Sequence, residues 1–152
     1  MHKTIIADTS CFIILFKIGE FELLHKLYGQ ISTTYDIAEE FGEDLPNWVI
    51  IESVTDKYRQ RILEMQIDKG ESSAIALALE TQNCTLILDD LKARKIAQNL
   101  GLNFTGTIGI IIKAKQNGII PSIKPYIEKI KDTNFRITAE IELQALKEAG
   151  EY

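Results

Sequence analysis

Apolar positions alternate along the chain between two rhythms. Short segments at residues 3–7, 30–33, 48–54, 85–88 and 102–105, mostly apolar except for 30–33, are each bounded by polar or glycine-containing stretches. Runs of that length and composition predict buried strands, the third less buried than the others. Between them the apolar spacing lengthens to a helical period. Residues 11–16 begin a helix that Gly19 interrupts, and Phe21, Leu23, Leu24, Leu27 and Tyr28 resume it. Residues 35–41, 56–67, 71–80, 91–100 and 107–116 continue the series. Gly29, Gly42 and Gly70 fall where helices are expected to stop or break. Within 56–67 the stripe is Tyr58, Ile62 and Met65. Such a stripe needs a cover, either the chain's own core or a second molecule.

Strands that are continuous apolar runs, alternating with helices, predict a parallel sheet covered on both faces. The expected fold is therefore a three-layer α/β/α sandwich. Two further helical patterns, 123–130 and 139–149, follow the last strand unit. The joint at 119–122 is too short for a domain linker, so the reading is one domain over 1–152. Its α/β core covers 1–120, and 121–152 is a C-terminal helical extension.

Composition narrows the function classes. An apolar fraction of 45% and a charged fraction of 26% suit a soluble globular protein. The net charge of −5 supplies no general attraction for nucleic acid, so any such binding needs a local basic patch or bridging cations. Cys11 and Cys84 lie in apolar runs and read as buried free thiols. The N-terminal residues lack a signal peptide's apolar core, and no apolar run reaches the roughly 18 residues of a membrane span. The expected location is the cytoplasm, with no membrane contact. His2 and His25 have no partner spacing for zinc or a catalytic triad, and no glycine-rich phosphate loop follows the first strand.

The acidic residues carry more. In open parallel sheets ligands bind beyond the carboxyl ends of the strands. Asp8 ends the first predicted strand, and Asp89 and Asp90 end the fourth. Glu40 lies on the helix after the second strand beside Ile37 and Phe41, while Glu39 turns away. Glu71 leads the apolar stripe of Ala74, Ile75, Ala78 and Leu79. Each has an ordinary explanation: a turn or helix cap for Asp8 and Asp90, solvation for Glu40, a helix-dipole position for Glu71. Converging, they would repel one another unless a cation lay between them. Hard oxygen ligands suit Mg2+ or Mn2+. Arg94 returns to the face of Asp90, to meet a substrate phosphate or to pair with that carboxylate. Thr107 either caps its helix or helps seat a phosphate at the helix N-terminus.

Six ordered pieces resemble the PIN-domain family. They are Ile6-Ala7-Asp8-Thr9-Ser10, Ile37-Ala38-Glu39-Glu40-Phe41, Gly70-Glu71-Ser72-Ser73-Ala74-Ile75-Ala76-Leu77-Ala78, Leu88-Asp89-Asp90-Leu91-Lys92-Ala93-Arg94, Gly106-Thr107-Ile108-Gly109 and Phe135-Arg136-Ile137-Thr138. The resemblance implies a Rossmann-like sheet of order 3-2-1-4-5 and a metal site of Asp8, Glu40, Glu71 and Asp90. Asp89 is the alternative to Asp90. The chain departs from the family pattern in having Glu71 where aspartate is common and Leu88 where a threonine is usual. The implied activity is a metal-dependent endoribonuclease, similar to the toxins of the VapC type, with RNA as substrate and an antitoxin and a second copy as partners. The competing readings are a non-enzymatic protein-binding module and a small-molecule phosphoesterase on the same metal site.

Overall fold

The computed structural model describes residues 3–152. Met1 and His2, with the reading made of His2, lie outside the described residues. The strands are β1 (Thr4–Ala7), β2 (Ile31–Thr34), β3 (Val49–Glu52), β4 (Cys84–Ile87) and β5 (Asn103–Thr105). They form one parallel sheet in the order β3-β2-β1-β4-β5. The helices are α1 (Thr9–Lys17), α2 (Glu22–Tyr28), α3 (Tyr35–Phe41), α4 (Lys57–Leu63), α5 (Lys69–Leu79), α6 (Leu91–Asn99), α7 (Thr107–Gln116), α8 (Lys124–Lys131) and α9 (Ala139–Glu148). The result is the expected three-layer α/β/α sandwich.

Burial follows from strand order. β1, β2 and β4 are interior strands, and Ile6, Ile31, Leu86 and Ile87 are fully buried. The edge strands β3 and β5 keep exposed positions, which accounts for the less buried reading of the third strand. On one face α5 packs against β1, β2 and β4. Its Ser72, Ser73, Ala74, Ala76 and Ala78 are small and buried, so the helix axis lies close to the sheet. Phe12, Phe21, Phe41 and Trp48 make a chain of ring contacts elsewhere in the core.

The C-terminal helices are fastened to this body. α9 packs on α7, and Ile123, Ile127 and Ile130 are buried. Glu151 accepts from Ser122 Oγ at 2.5 Å, from the Ile123 amide at 2.8 Å and from Lys115 Nζ at 3.2 Å.

Two elements differ from the sequence expectation. α5 begins at Lys69, before Gly70 rather than after it, because Asp68 caps it. α4 ends at Leu63 and turns Gln60 and Leu63 inward, with Ile67 buried beyond it. Tyr58, Ile62 and Met65 are 76%, 63% and 83% exposed, so the core does not cover that stripe. Gln60 concealed the true inner face. Its Nε2 donates to Asp36 at 2.8 Å and to Glu64 at 3.1 Å, which holds the side chain inward, while its Oε1 is buried without a partner.

The strand order also locates the crevice. From β1 the chain moves out to β2 and β3, then returns to place β4 on the other side of β1. Connections leave the carboxyl ends of β1 and β4 in opposite directions, and the gap between them opens there.

Candidate metal centre

At this edge the core turns polar. Asp8, Thr9, Thr33, Thr34, Ser72, Ser73 and Thr107 are all buried. Thr34 at the end of β2 shares a 2.6 Å hydrogen bond with Ser73 of α5, and the Ser73 hydroxyl lies 2.7 Å from the Gly70 carbonyl. These contacts hold the first turn of α5 against the strand end. Glu71 is carried with it.

Asp8 follows β1 directly, and its amide donates to the Ile87 carbonyl of β4 at 3.1 Å. It occupies the N-cap position of α1, yet its side chain makes no capping hydrogen bond. The carboxyl is 4% exposed, and its Oδ1 is buried without a hydrogen-bond partner. Burial pushes its pKa up to about 8, against the Thr9 amide, with Glu71, Asp68 and Glu40 adding repulsion. A buried carboxyl with an unpartnered oxygen is costly to a fold that has no further use for it.

The other acids are tied to local partners. Glu71 and Asp68 form a capping box: the Glu71 amide donates to Asp68 Oδ1 at 2.8 Å, and the Asp68 amide to Glu71 Oε1 at 3.3 Å. Burial, then Asp68 and Asp90, push Glu71 up to about 7. Glu40 accepts from the buried Thr9 hydroxyl at 2.6 Å. Its Oε1 lies where a Cβ on Gly70 would be, 2.5 Å from that ideal position. Asp90 caps α6 by accepting the Ala93 amide at 2.9 Å. The ordinary readings therefore hold for Asp90 as a cap and for Glu71 in the first turn of its helix, while Asp8 stands at an N-cap position without making the capping bond.

Asp89 is built differently. It accepts from Ser10 Oγ at 2.7 Å, from Thr107 Oγ1 at 2.6 Å and from the Thr107 amide at 2.8 Å. Both donors of Thr107 are thus spent on Asp89. Gly106 keeps this approach open, since a Cβ there would come within 2.8 Å of Asp89 Oδ1. Arg94 sits with its guanidinium 5.0 Å from the Phe104 ring centre, and its Nε is buried without a partner. Among the described residues it forms no ion pair with Asp90.

The mutual electrostatic influence of Asp8 with Glu40 and Glu71, and of Glu71 with Asp90, puts the four acids in one neighbourhood. In their present side-chain positions, no group of three or more acidic, cysteine or histidine residues among the described residues is arranged as a finished cage. The donor chemistry nonetheless fits a hard divalent cation: carboxylate oxygens with one buried acceptor unused. Sequence reasoning missed Thr9, Ser10, Gly70 and Asp68 as parts of this edge. Asp68 was detectable, because aspartate three residues before Glu71 is a capping-box spacing.

The fold is a parallel α/β/α sandwich with acidic residues following its central strands β1 and β4. The chain belongs to the PIN-domain family: the family model DUF3368, a PIN domain, matches residues 4–151. PIN domains are generally nucleases and typically use divalent metals, which makes nucleic acid the substrate class of the family. No curated protein and no solved structure matches the chain.

Proposed function

We propose that the protein is a divalent-metal-dependent endoribonuclease whose metal ligands are Asp8, Glu40, Glu71 and Asp90. The observation that carries this reading is Asp8 Oδ1, a buried acceptor left unpartnered beyond the central strand. Mg2+ or Mn2+ bound there supplies Lewis acidity to water and to a phosphodiester oxygen. Asp8 anchors the site, because its backbone is fixed between β1 and β4. Thr9 orients Glu40, and the Asp68 capping box presents Glu71. To hold a cation there, Glu71 would have to give up only the 3.3 Å hydrogen bond from the Asp68 amide, a weak bond to lose. In the reaction, water adds to phosphorus and the bond to the leaving oxygen breaks. Asp89 and Thr107 form the brace behind the ligands; Thr107 serves through Asp89, and Arg94 is the residue for substrate phosphate.

Cleavage of pooled cellular RNA with Mg2+ or Mn2+ tests this. Asp8→Asn is expected to abolish cleavage, and Glu40→Gln to reduce it severely. Glu39→Gln is the matched control and changes it little. Cleavage by Asp8→Asn at the wild-type rate would falsify the mechanism.

A toxin role with a protein partner has one supporting observation, the exposed Tyr58, Ile62 and Met65 stripe. Tyrosine and methionine of that exposure suit a protein interface, with a small antitoxin or a second copy as occupant. Oligomeric state across a concentration series tests the second copy. Ile62→Glu should dissociate any dimer that uses the stripe.

A further inference from the structure

Charge is distributed very unevenly along this acidic chain. Residues 91–127 hold six basic side chains (Lys92, Arg94, Lys95, Lys113, Lys115 and Lys124) and no aspartate or glutamate. The remainder holds eleven basic against twenty-two acidic residues, so a segment of +6 is set against −11 elsewhere. In the fold that segment supplies α6, β5 and α7, which is the β5 edge of the sheet. Lys92, Lys95 and Lys113 are exposed and form no ion pair among the described residues.

The edge is also grooved. A cleft of about 400 Å3 is lined by Lys3, Tyr28, Asn103, Phe104 and Lys113 among others, with no carboxylate in its lining. Lys113 Nζ lies 5.5 Å from the Tyr28 ring centre. Arg94 covers Phe104 and reaches towards Gly106, so the cleft and the start of α6 share one ring as a common wall. That start is Asp90, a proposed metal ligand.

We propose that the β5 edge, from α6 to the cleft beside Lys113, is the path along which a single-stranded RNA reaches the carboxylate site. The inference rests on the nuclease reading and adds the route of the substrate. Lys92, Arg94 and Lys95 neutralise backbone phosphates next to a site that would otherwise repel them. Aromatic rings beside ammonium groups suit unstacked bases, which a duplex keeps turned inward. The same positive edge removes the objection raised by the net charge of −5.

Fluorescence anisotropy of a labelled mixed-sequence single-stranded RNA, in chelator so that nothing is cut, tests the path. Replacing Lys92, Lys95 and Lys113 by Glu should weaken binding about tenfold or more at low salt and flatten its salt dependence. Replacing Lys57, Arg59 and Arg61 of α4 by Glu makes the same change in net charge, and should leave affinity within about twofold. The equivalent Gln variants serve if a Glu variant melts early. A duplex of the same sequence should bind more weakly than the single strand. Equal loss in both charge sets, unchanged binding in the first set, or duplex preference would overturn the path. Mn2+-dependent melting reads the metal centre separately. A wild type that responds to Mn2+ but binds RNA without dependence on α6 refutes the path alone; the reverse pattern refutes the metal reading alone.

Discussion

The carboxyl ends of β1 and β4 are neighbours in the sheet, and each ends in a carboxylate with an opposite fate. Asp89, after β4, is saturated by two hydroxyls and an amide. Asp8, after β1, is more deeply buried and keeps an oxygen with no partner. A fold can neutralise a carboxylate with its own donors, and at Asp89 this one has done so. At Asp8 it has supplied the Thr9 amide and, beyond that, other acids. The contrast separates an acid that builds the edge from an acid left with one oxygen unpartnered.

The largest effect should come from exchanging these roles by mutation. Asp89→Ala removes three charge-assisted hydrogen bonds and leaves two hydroxyls and an amide without their acceptor. It should destabilise the protein by about 3 kcal/mol, with or without metal. Asp8→Asn should leave metal-free stability unchanged or higher while removing the rise in melting temperature that Mn2+ gives the wild type. Thermal melts of both variants with chelator and with Mn2+ check this. A full Mn2+ response in Asp8→Asn would erase the distinction between the two aspartates.

A pH series sharpens the same contrast. Asp8 is raised from 3.8 to about 8, by burial first, and Glu71 from 4.5 to about 7, also by burial first. Between the unfolded and folded values the native state binds more protons than the unfolded chain, so stability falls as pH rises. Their contribution is complete below about pH 4 and is lost by about pH 8. Metal-free wild type should therefore melt progressively lower from pH 5 to pH 8.5, as roughly bounded by these values. Asp8→Asn should flatten the upper part of that slope. Mn2+ should reverse it, because ligands must be deprotonated to bind. A metal-free melting temperature that climbs over this range would show that Asp8 is not held protonated by its surroundings.

Much of this is legible in the sequence, for a physical reason. β1 and β4 are apolar runs, and an aspartate that ends one is conspicuous, so Asp8, Asp89 and Asp90 stand out directly. β2, by contrast, buries Ser32, Thr33 and Thr34 and carries no such pattern. Side chains that act through polar satisfaction are not legible in this way. Gln60 hid the inner face of α4, and periodicity chose Tyr58, Ile62 and Met65 in its place. Which of Asp89 and Asp90 is saturated depends on Ser10 and Thr107, residues distant in sequence. Gly70 was read as a helix breaker, since spacing alone cannot show that Glu40 occupies the volume beside it.

Gly70 supplies the smallest and most selective test. It lies inside α5, where alanine favours the helix by about 0.5–1 kcal/mol. The added methyl would come within 2.5 Å of Glu40 Oε1, while Thr9 Oγ1 at 3.4 Å and Ile37 Cγ1 at 3.6 Å are ordinary contacts. The obstructed atom is the far end of a flexible, exposed side chain, so it can move at little cost to the fold. Glu40 must then leave the hydrogen bond from Thr9 that holds it towards Asp8. Gly70→Ala should therefore melt at or slightly above the wild-type temperature while RNA cleavage falls several-fold and the Mn2+ response shrinks. Stability and function would move in opposite directions at a residue that itself bears no functional group. If cleavage and the Mn2+ response are both unchanged in a stable Gly70→Ala protein, the placement of Glu40 does not matter, and Glu40 leaves the set of ligands.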